Sequence, residues 1–456
     1  MRWLIIMLSI PGFGASVPTL KVTGPIPATA KPGDPSHNYP FFSATDLLGP
    51  YDYVEEEFYV EGLAPAYATA RNDTATLAPG GPFAYKTRVI VRRPKSATKF
   101  NGTVILEWSN VTAMHDFEID WGWSHDHMMR RGFAYGAVSA QTNGVASPTG
   151  LKKWNPGRYG SLDVTAGGKF ANDELSYSIF SAVAQALKEP AGTSLVGSLR
   201  VKYVIATGQS QSARRLVAYY NSVHPTDRVV DGFVLHDAVQ SDVVRADVNT
   251  PAWKLLSETG VIRGQAAVRQ PDTRYLRTWE VAGTSHGDWD LIQFLDRLRA
   301  RDLPQPESQP CERPALSRVP SHLVQDAVYD WMKLWVEKGT EPPHAPPIAM
   351  TSIGAASDRL SVAARDENGN ALGGIRLAQF AVPTATDTGL NEGPAYCRIY
   401  GSHEPFSSEK LARLYPNPAG FTAEVERITE QNLKAGFITE EGAAQTKWEA
   451  VQRNVH

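Results

Sequence analysis

The sequence of 456 residues lacks several features that would place it in well-known classes of function. Its net charge is only −3 at pH 7, which gives no electrostatic reason to expect a nucleic acid or an acidic membrane surface as a partner. Beyond the first few residues, no run is long and apolar enough for a transmembrane helix. Since there is no glycine-rich phosphate loop and no dinucleotide fingerprint, no cofactor is expected.

Cysteine is also scarce, since Cys311 and Cys397 are the only two in the chain. Their spacing does not fit a zinc site. In an exported protein an even pair of cysteines favours a disulfide, and the alternative is two buried, unreactive thiols. We predict the disulfide, which would tie the C-terminal region to the body of the protein.

Export is indicated by the first residues of the chain. Arg2 is followed by a short apolar run and then by small residues, the order that is typical of a signal peptide. We therefore predict a signal peptide over residues 1–16 and a secreted or periplasmic protein; a disordered segment or a buried strand is the alternative. Residues 17–50, rich in proline, glycine and threonine, are expected to wrap the surface as extended chain.

Apolar residues make up 42% of the chain and charged residues 20%, a balance that allows a sizeable core. Strand-like and helix-like patterns alternate in the first two thirds. The apolar run 103–108 is typical of a strand buried on both faces, and residues 172–188 have the spacing of an amphipathic helix. This alternation predicts an α/β fold with a mostly parallel sheet and helices on both faces. We place a catalytic domain at 51–340 and a C-terminal addition, packed on it, at 341–456.

The most informative segment surrounds Ser210. A β-branched apolar run leads into Gly208-Gln209-Ser210-Gln211-Ser212, and a helical pattern follows. A sharp turn from strand to helix exposes a serine hydroxyl and aims the next backbone N–H at a developing oxyanion. Such a turn needs small residues two positions before and after the serine, here Gly208 and Ser212. The segment predicts Ser210 as a nucleophile.

A serine nucleophile needs a general base, and in folds of this type the chain order is nucleophile, acid, histidine. His286 lies on a loop of small residues after the strand-like run 278–282. There an imidazole can take the proton of Ser210 and return it to the leaving group. The alternative is a loop histidine that only caps the following helix. We predict His286 as the base.

Three carboxylates are candidates for the acid that orients His286. Glu258 comes just after a strand-like run, Asp237 just after the preceding run, and Asp272 lies in a later loop. A carboxylate at a strand end can hold the imidazole in the right tautomer and stabilise the imidazolium. Glu258 is the preferred interpretation, with Asp237 and Asp272 as alternatives.

An oxyanion hole requires two N–H donors. The N–H of Gln211 is the expected first donor, because Gln211 follows the nucleophile at the start of a helix. The second donor is expected from the loop after the strand that ends at Trp108, from either Ser109 or Asn110.

A separate cluster of histidines and carboxylates raises the possibility of metal chemistry; its members are His115, Asp116, Asp120, His125, Asp126 and His127. The spacing matches no zinc or iron pattern. On a helix, positions 125 and 127 face different sides. Exposed or capping roles are the preferred interpretation, and a metal-dependent hydrolase remains a rival.

Together these motifs resemble the α/β-hydrolase superfamily, and more narrowly the family of "alpha/beta hydrolase domain" proteins. The matching segments span nearly the whole chain: 53–58, 85–88, 101–104, 107–108, 208–212, 279–283 and 373–377. The resemblance implies an α/β-hydrolase fold and serine-dependent hydrolysis. The family has a glutamate in a Ser/Thr-Glu-Thr-Asp segment, which is 257–260 here with Gly260 in place of the aspartate. The resemblance therefore supports Glu258 as the acid.

The sequence thus predicts a serine hydrolase that cleaves a carboxylic ester or lactone, in a small molecule or a polymer, through an acyl-enzyme. Its predicted triad is Ser210, His286 and Glu258. The rival from another class is a non-catalytic binding protein, because a fold alone does not establish a function.

Overall fold

The computed structural model describes residues 17–71, 74–238, 243–304, 310–354 and 360–453. The predicted signal peptide, residues 1–16, lies outside the described residues. Within those ranges, no helix combines the length and the apolar character that a membrane crossing requires.

The strands of the described residues are, in chain order, β1 (Leu20–Thr23), β2 (Tyr53–Ala64), β3 (Tyr67–Arg71), β4 (Thr74–Leu77), β5 (Phe83–Pro94), β6 (Thr103–Trp108), β7 (Ala134–Val138), β8 (Tyr203–Gln209), β9 (Gly232–His236), β10 (Ala252–Ser257), β11 (Leu276–Val281), β12 (Met350–Ser352), β13 (Val362–Ala363), β14 (Ala385–Thr388) and β15 (Ser402–Pro405).

The α-helices of the same residues are α1 (Thr45–Leu48), α2 (Ile119–Arg130), α3 (Thr142–Ala146), α4 (Leu151–Trp154), α5 (Pro156–Tyr159), α6 (Ser176–Lys188), α7 (Gln211–Ser222), α8 (His224–Asp227), α9 (Glu258–Ile262), α10 (Trp289–Asp302), α11 (His322–Lys338), α12 (Ala378–Ala381), α13 (Cys397–Tyr400), α14 (Ser408–Leu414), α15 (Pro418–Lys434) and α16 (Glu440–Gln452).

One large sheet organises the molecule, with the strand order β1-β2-β5-β7-β6-β8-β9-β10-β11. The strands from β7 to β11 pair in parallel, whereas β1, β2 and β5 are antiparallel to their neighbours. The predicted mostly parallel sheet is confirmed. Parallel strands end at the same edge, so the loops after β6, β8, β9, β10 and β11 meet there.

The apolar runs of the central strands are buried on both faces, as predicted for 103–108. In β8, Val204 and Ala206 pack into one hydrophobic cluster with α6 and α7, whereas Ile205 packs into a second cluster with α2 and α11. Successive side chains of a strand point to opposite faces. Helices therefore cover both faces of the sheet.

Residues 17–50 do more than wrap the surface. β1 adds an antiparallel strand to the edge of the sheet. Tyr39, Phe41 and Phe42 are almost fully buried, and the Tyr39 hydroxyl donates to Asp302 at 2.7 Å. Burial of three aromatic side chains fixes this segment to the body of the protein.

The C-terminal region is continuous with the sheet. Ile375 forms a parallel bridge with Val281 of β11, in which the Ile375 N–H donates to the Glu280 carbonyl at 2.7 Å. The predicted disulfide between Cys311 and Cys397 is present, with the two Cα atoms 5.4 Å apart. The Gly287 N–H donates to the Ile399 carbonyl at 3.1 Å, so the C-terminal region also reaches the loop after β11.

Candidate active site

Ser210 occupies a strained turn between β8 and α7. Its backbone has φ 61° and ψ −115°, a left-handed conformation that is costly for a residue with a Cβ. The Ser210 N–H donates to the His236 carbonyl at 2.9 Å, which fixes the turn to the end of β9. Strain of this kind holds a nucleophilic hydroxyl exposed at the end of a strand.

The small neighbours of Ser210 have clear structural roles. A Cβ on Gly208 would lie 3.0 Å from the Ser212 hydroxyl and 3.2 Å from a Leu216 methyl, so a larger residue would disturb the turn. Ser212 stands where glycine is usual, and its hydroxyl donates to the Gln209 carbonyl at 2.8 Å. The serine therefore closes the turn with a hydrogen bond that glycine could not make.

His286 lies on the loop after β11 and pairs with Asp237. The distance from the imidazole Nδ1 to the Asp237 Oδ2 is 2.5 Å. A carboxylate partner requires the proton on Nδ1, which leaves Nε2 as the acceptor. Burial raises the pKa of the Asp237 carboxyl, but His286 and Ser257 together lower it below its usual value. Asp237 is therefore charged at neutral pH and holds the imidazole in one tautomer.

The structure departs here from the sequence-based placement of the acid. Glu258 was predicted beside His286, and Asp237, the first alternative, is found there. The Glu258 carboxylate instead accepts from the Gly283 N–H at 2.8 Å, the Gly389 N–H at 3.2 Å and the Arg365 guanidinium at 2.8 Å. Both carboxylate oxygens of Glu258 are therefore engaged. Through the Gly283 N–H, Glu258 supports the loop that carries His286.

Asp272, the other alternative, is also engaged elsewhere. Its carboxylate accepts from Arg277 at 3.0 Å and from the Thr278 N–H at 2.9 Å, at the beginning of β11. His286 lies beyond the opposite end of that strand. Asp272 is therefore a structural partner of Arg277.

Gly260 explains how Asp237 reaches His286. A Cβ on Gly260 would lie 1.8 Å from the Asp237 Oδ1, so the Asp237 carboxylate fills the space that a side chain at 260 would need. The Ser257 hydroxyl donates to the Asp237 Oδ2 at 2.6 Å and fixes the carboxylate in that space. The glycine that differs from the family pattern is thus the residue that admits Asp237.

Gly260→Ala is therefore expected to lower kcat for an activated ester by at least about 100-fold, because displacement of a catalytic group by about 1 Å costs that much. Steady-state kinetics with a melting curve for each variant would measure the effect. Gly420→Ala is the matched control, since Gly420 also lies in a helix and has open space around its Cβ position. Wild-type turnover in Gly260→Ala would contradict the placement of Asp237.

The expected oxyanion donors differ in whether their backbone N–H groups are already hydrogen-bonded. Gln211 is the first residue of α7, where a backbone N–H has no partner within the helix. The Asn110 N–H donates to the Phe117 carbonyl at 3.0 Å, so it is engaged and does not serve as the second donor. Ser109 is buried at the end of β6. Val111, the residue after Asn110, lines the same cavity as Ser210 and Gln211.

Two side-chain amides connect the loops of the site; sequence reasoning did not predict this role for Gln209, and it had considered Asn110 only as an oxyanion donor. The Asn110 amide donates to the Gln209 carbonyl at 2.9 Å, and the Gln209 amide donates to the His286 carbonyl at 3.0 Å. The loop after β6, the serine turn and the histidine loop are therefore linked by hydrogen bonds. Their only signal in the sequence is the position of each residue at the end of a strand.

Ser210 lies between two cavities. One, of about 70 Å³, is largely apolar; it also contains His286 and is lined by Phe117, Leu291 and Tyr400 among others. The other, of about 620 Å³, has a mixed lining of polar, charged and apolar groups and contains Gln211. The site can therefore accept a molecule with one small apolar part and one larger part that carries polar or charged groups.

The histidines and carboxylates of the rival metal cluster are dispersed. Among the described residues, no group of three or more His, Cys, Asp or Glu is arranged to hold a metal ion. His115 packs against Phe117, and burial lowers its pKa to about 3. His125 contacts backbone carbonyls of its own helix, and His127 lies 3.1 Å from Asp330.

The carboxylates of that cluster are likewise used for other contacts. Asp116 contacts Arg88 and Ser139, Asp120 accepts from Thr207, and Asp126 accepts from Tyr51. The contact between Asp120 and Thr207 joins α2 to β8, and the other two hold loops in place.

A family model described as "Alpha/beta hydrolase domain" matches residues 22–447. No curated protein matches the chain.

Two solved structures show distant similarity to the chain. A carbohydrate esterase family 15 glucuronoyl esterase from Caldicellulosiruptor kristjansonii has 16% sequence identity and a TM-score of 0.23 over 40% of this chain and 45% of its own. A serine hydrolase without a lid from Xanthomonas campestris has 12% identity and a TM-score of 0.29 over 54% of this chain and 97% of its own. At these values neither similarity bears on substrate.

Proposed function

The chain belongs to the alpha/beta hydrolase domain family, and we propose that it is a serine-dependent carboxylic ester or lactone hydrolase. The observation that carries the proposal is the strained turn of Ser210 beside a cavity shared with His286, whose Nδ1 is held by Asp237. A hydroxyl, a base and an orienting carboxylate are the parts that nucleophilic acyl transfer requires.

The proposed reaction has two halves. Ser210 Oγ attacks the ester carbonyl while His286 Nε2 takes its proton, and a tetrahedral oxyanion forms. The intermediate collapses as His286 gives the proton to the leaving alkoxide, which departs as the alcohol. Water then attacks the acyl-enzyme with His286 again as the base, and Ser210 is restored as the acid product leaves.

Two groups of residues support these steps. Asp237 stabilises the imidazolium that forms on His286, and the buried ion pair needs no reorganisation during the reaction. The N–H of Gln211 is the proposed first oxyanion donor, and Val111 on the facing loop is the proposed second. Glu258 acts through the backbone of the histidine loop.

Labelling with a fluorophosphonate tests the proposal. We expect a single adduct on Ser210, located by intact mass and peptide mapping, which is absent in Ser210→Ala and strongly slowed in His286→Ala. Labelling and ester hydrolysis that persist in a chelator would oppose a metal-dependent hydrolase. A well-folded wild type that neither reacts nor hydrolyses esters would favour the non-catalytic binding protein.

We further propose that the protein works in an oxidising compartment outside the cytoplasm. The disulfide between Cys311 and Cys397 supports this, because such bonds persist where thiols are not kept reduced. The signal-like pattern of residues 1–16 agrees with it. N-terminal sequencing of the protein produced by an export-competent host would test the proposal, and an uncleaved cytoplasmic product would contradict it.

A further inference from the structure

Three arginines line the larger cavity beside Ser210. Arg214 and Arg215 come from α7, one turn after the nucleophile, and Arg263 follows α9. One carboxylate, that of Asp173, lies in the same lining. The cavity of about 620 Å³, which Ser210 also lines, therefore carries an excess of positive charge.

The three guanidinium groups differ in how far they are engaged. Arg215 pairs with Asp173 at 3.0 Å, so those two charges balance. Arg263 donates through Nε to the Arg398 carbonyl at 2.9 Å, but neither of its Nη atoms has a hydrogen-bond partner within the described ranges, and of the two only Nη2 is buried. Arg214 is exposed and makes no side-chain hydrogen bond or ion pair in the described part of the chain.

Unpaired guanidinium donors in a cavity are suited to an anion. A guanidinium presents a planar set of N–H groups that matches a carboxylate, and the pair is stronger where water is partly excluded. Burial lowers the pKa of Arg263, because its guanidinium is partly withdrawn from water, although the charge of Glu392 acts in the opposite direction. An anionic group of a ligand in the cavity would lie beside the exposed guanidinium of Arg214 and beside Arg263, whose side chain also lines the cavity.

The two cavities also indicate which half of an ester carries this anion. His286 must protonate the leaving oxygen, and it lines the small apolar cavity. Gln211, the proposed oxyanion donor, lines the arginine-rich cavity. The alcohol therefore leaves through the apolar side, and the acyl chain extends toward the arginines.

We propose that the substrate is an ester of a small alcohol whose acyl chain carries a carboxylate, bound by Arg214 and Arg263. This inference rests on the proposed function and adds a substrate class to it. The volume of the cavity is within the range of small-molecule sites and admits an acyl chain of several carbons.

Matched esters test the inference. The substrates are the monoethyl esters of glutaric, adipic and pimelic acid, each compared with the corresponding ω-carboxamide ester, which is neutral and nearly the same shape. We expect kcat/KM to be at least about tenfold higher for the best anionic ester than for its amide, as for a charge-assisted contact. The ratio should fall as salt is added.

Variants assign the effect to the cavity. Arg214→Gln and Arg263→Gln are expected to bring the ratio of anionic to amide kcat/KM close to one. Arg413→Gln is the control for loss of one positive charge, since Arg413 lies exposed on α14, outside the lining of either cavity. A ratio that stays high in both cavity variants would overturn the assignment to these arginines.

A binding measurement distinguishes failure of the anion site from failure of the hydrolase proposal. Calorimetry with adipate and with neutral adipamide needs no turnover, and we expect wild type to bind adipate at least tenfold more tightly. Hydrolysis of both ester series without preference, and equal binding of the two ligands, would refute the anion site and leave the hydrolase proposal standing. Preferential adipate binding without fluorophosphonate labelling would keep the anion site and refute the hydrolase.

Discussion

Replacement of Ser210 by alanine is expected to lower kcat for an activated ester by about six orders of magnitude while the fold is retained. The alanine has no hydroxyl to attack the carbonyl, so the remaining rate comes from binding and the oxyanion donors alone. Steady-state kinetics and thermal melting of the purified variant measure the two parts of this expectation.

Ser210→Gly extends the same test to the strain in the turn. Ser210 has φ 61°, a conformation that glycine adopts without the steric cost of a Cβ. We expect the glycine variant to be as inactive as the alanine variant and more stable than wild type by about 1 kcal/mol. Greater stability without activity would show that the turn is held strained for its chemistry.

A second serine provides the control for both variants. Ser222 lies at the end of α7, where its hydroxyl donates to the Ala218 carbonyl at 2.6 Å. Ser222→Ala should keep kcat within about twofold of wild type, as expected for a surface change away from the site. Turnover in Ser210→Ala close to wild type would remove Ser210 as the nucleophile.

The sequence was most informative where local pattern determines structure. The buried strand predicted at 103–108 is found at those residues, and the helix predicted at 172–188 begins at Ser176 and ends at Lys188. Apolar runs and amphipathic periodicity report burial directly. The turn of Ser210 was also readable, because small neighbours around a serine between a strand and a helix occur in few other settings.

The carboxylate that contacts His286 could not be identified in this way. Asp237 and Glu258 each follow a strand of the same sheet, so strand-end position does not distinguish them. The difference lies in the left-handed backbone of Asp237, with φ 49°, and in the space left by Gly260. Both are three-dimensional facts that depend on how neighbouring loops pack.

The contribution of the C-terminal region was equally hidden. Arg365 and Gly389 hold Glu258, and Tyr400 lines the apolar cavity with His286; each pair is separated by more than 100 residues along the chain. A local sequence pattern cannot predict contacts between residues that are so far apart along the chain. The arginine-rich cavity is likewise assembled from segments that are distant along the chain.

Asp237→Asn is expected to lower kcat by about four orders of magnitude, because an amide no longer fixes the His286 tautomer or stabilises the imidazolium. Glu258→Gln is the decisive comparison. It should change kcat by less than tenfold and lower the free energy of unfolding by about 2 kcal/mol, since it removes a partner of Arg365. Kinetics and denaturant unfolding of both variants measure these effects. The opposite pattern, with the large loss of kcat in Glu258→Gln, would restore the assignment made from the sequence.

A double variant tests whether the acid can be moved. In wild type the Asp237 Oδ2 lies 3.4 Å from the Cβ position of Gly260, so a carboxylate carried at 260 could reach toward His286 once Asp237 is truncated. We expect the double variant Asp237→Ala with Gly260→Asp to have a kcat at least about tenfold higher than that of Asp237→Ala alone. Asp237→Ala with Gly260→Asn, which places a neutral amide of the same shape there, should recover none. Recovery with the aspartate alone would show that the site requires a negative charge beside the His286 Nδ1, whichever position supplies it. Equal behaviour of the two double variants would mean that shape, and not charge, governs the imidazole.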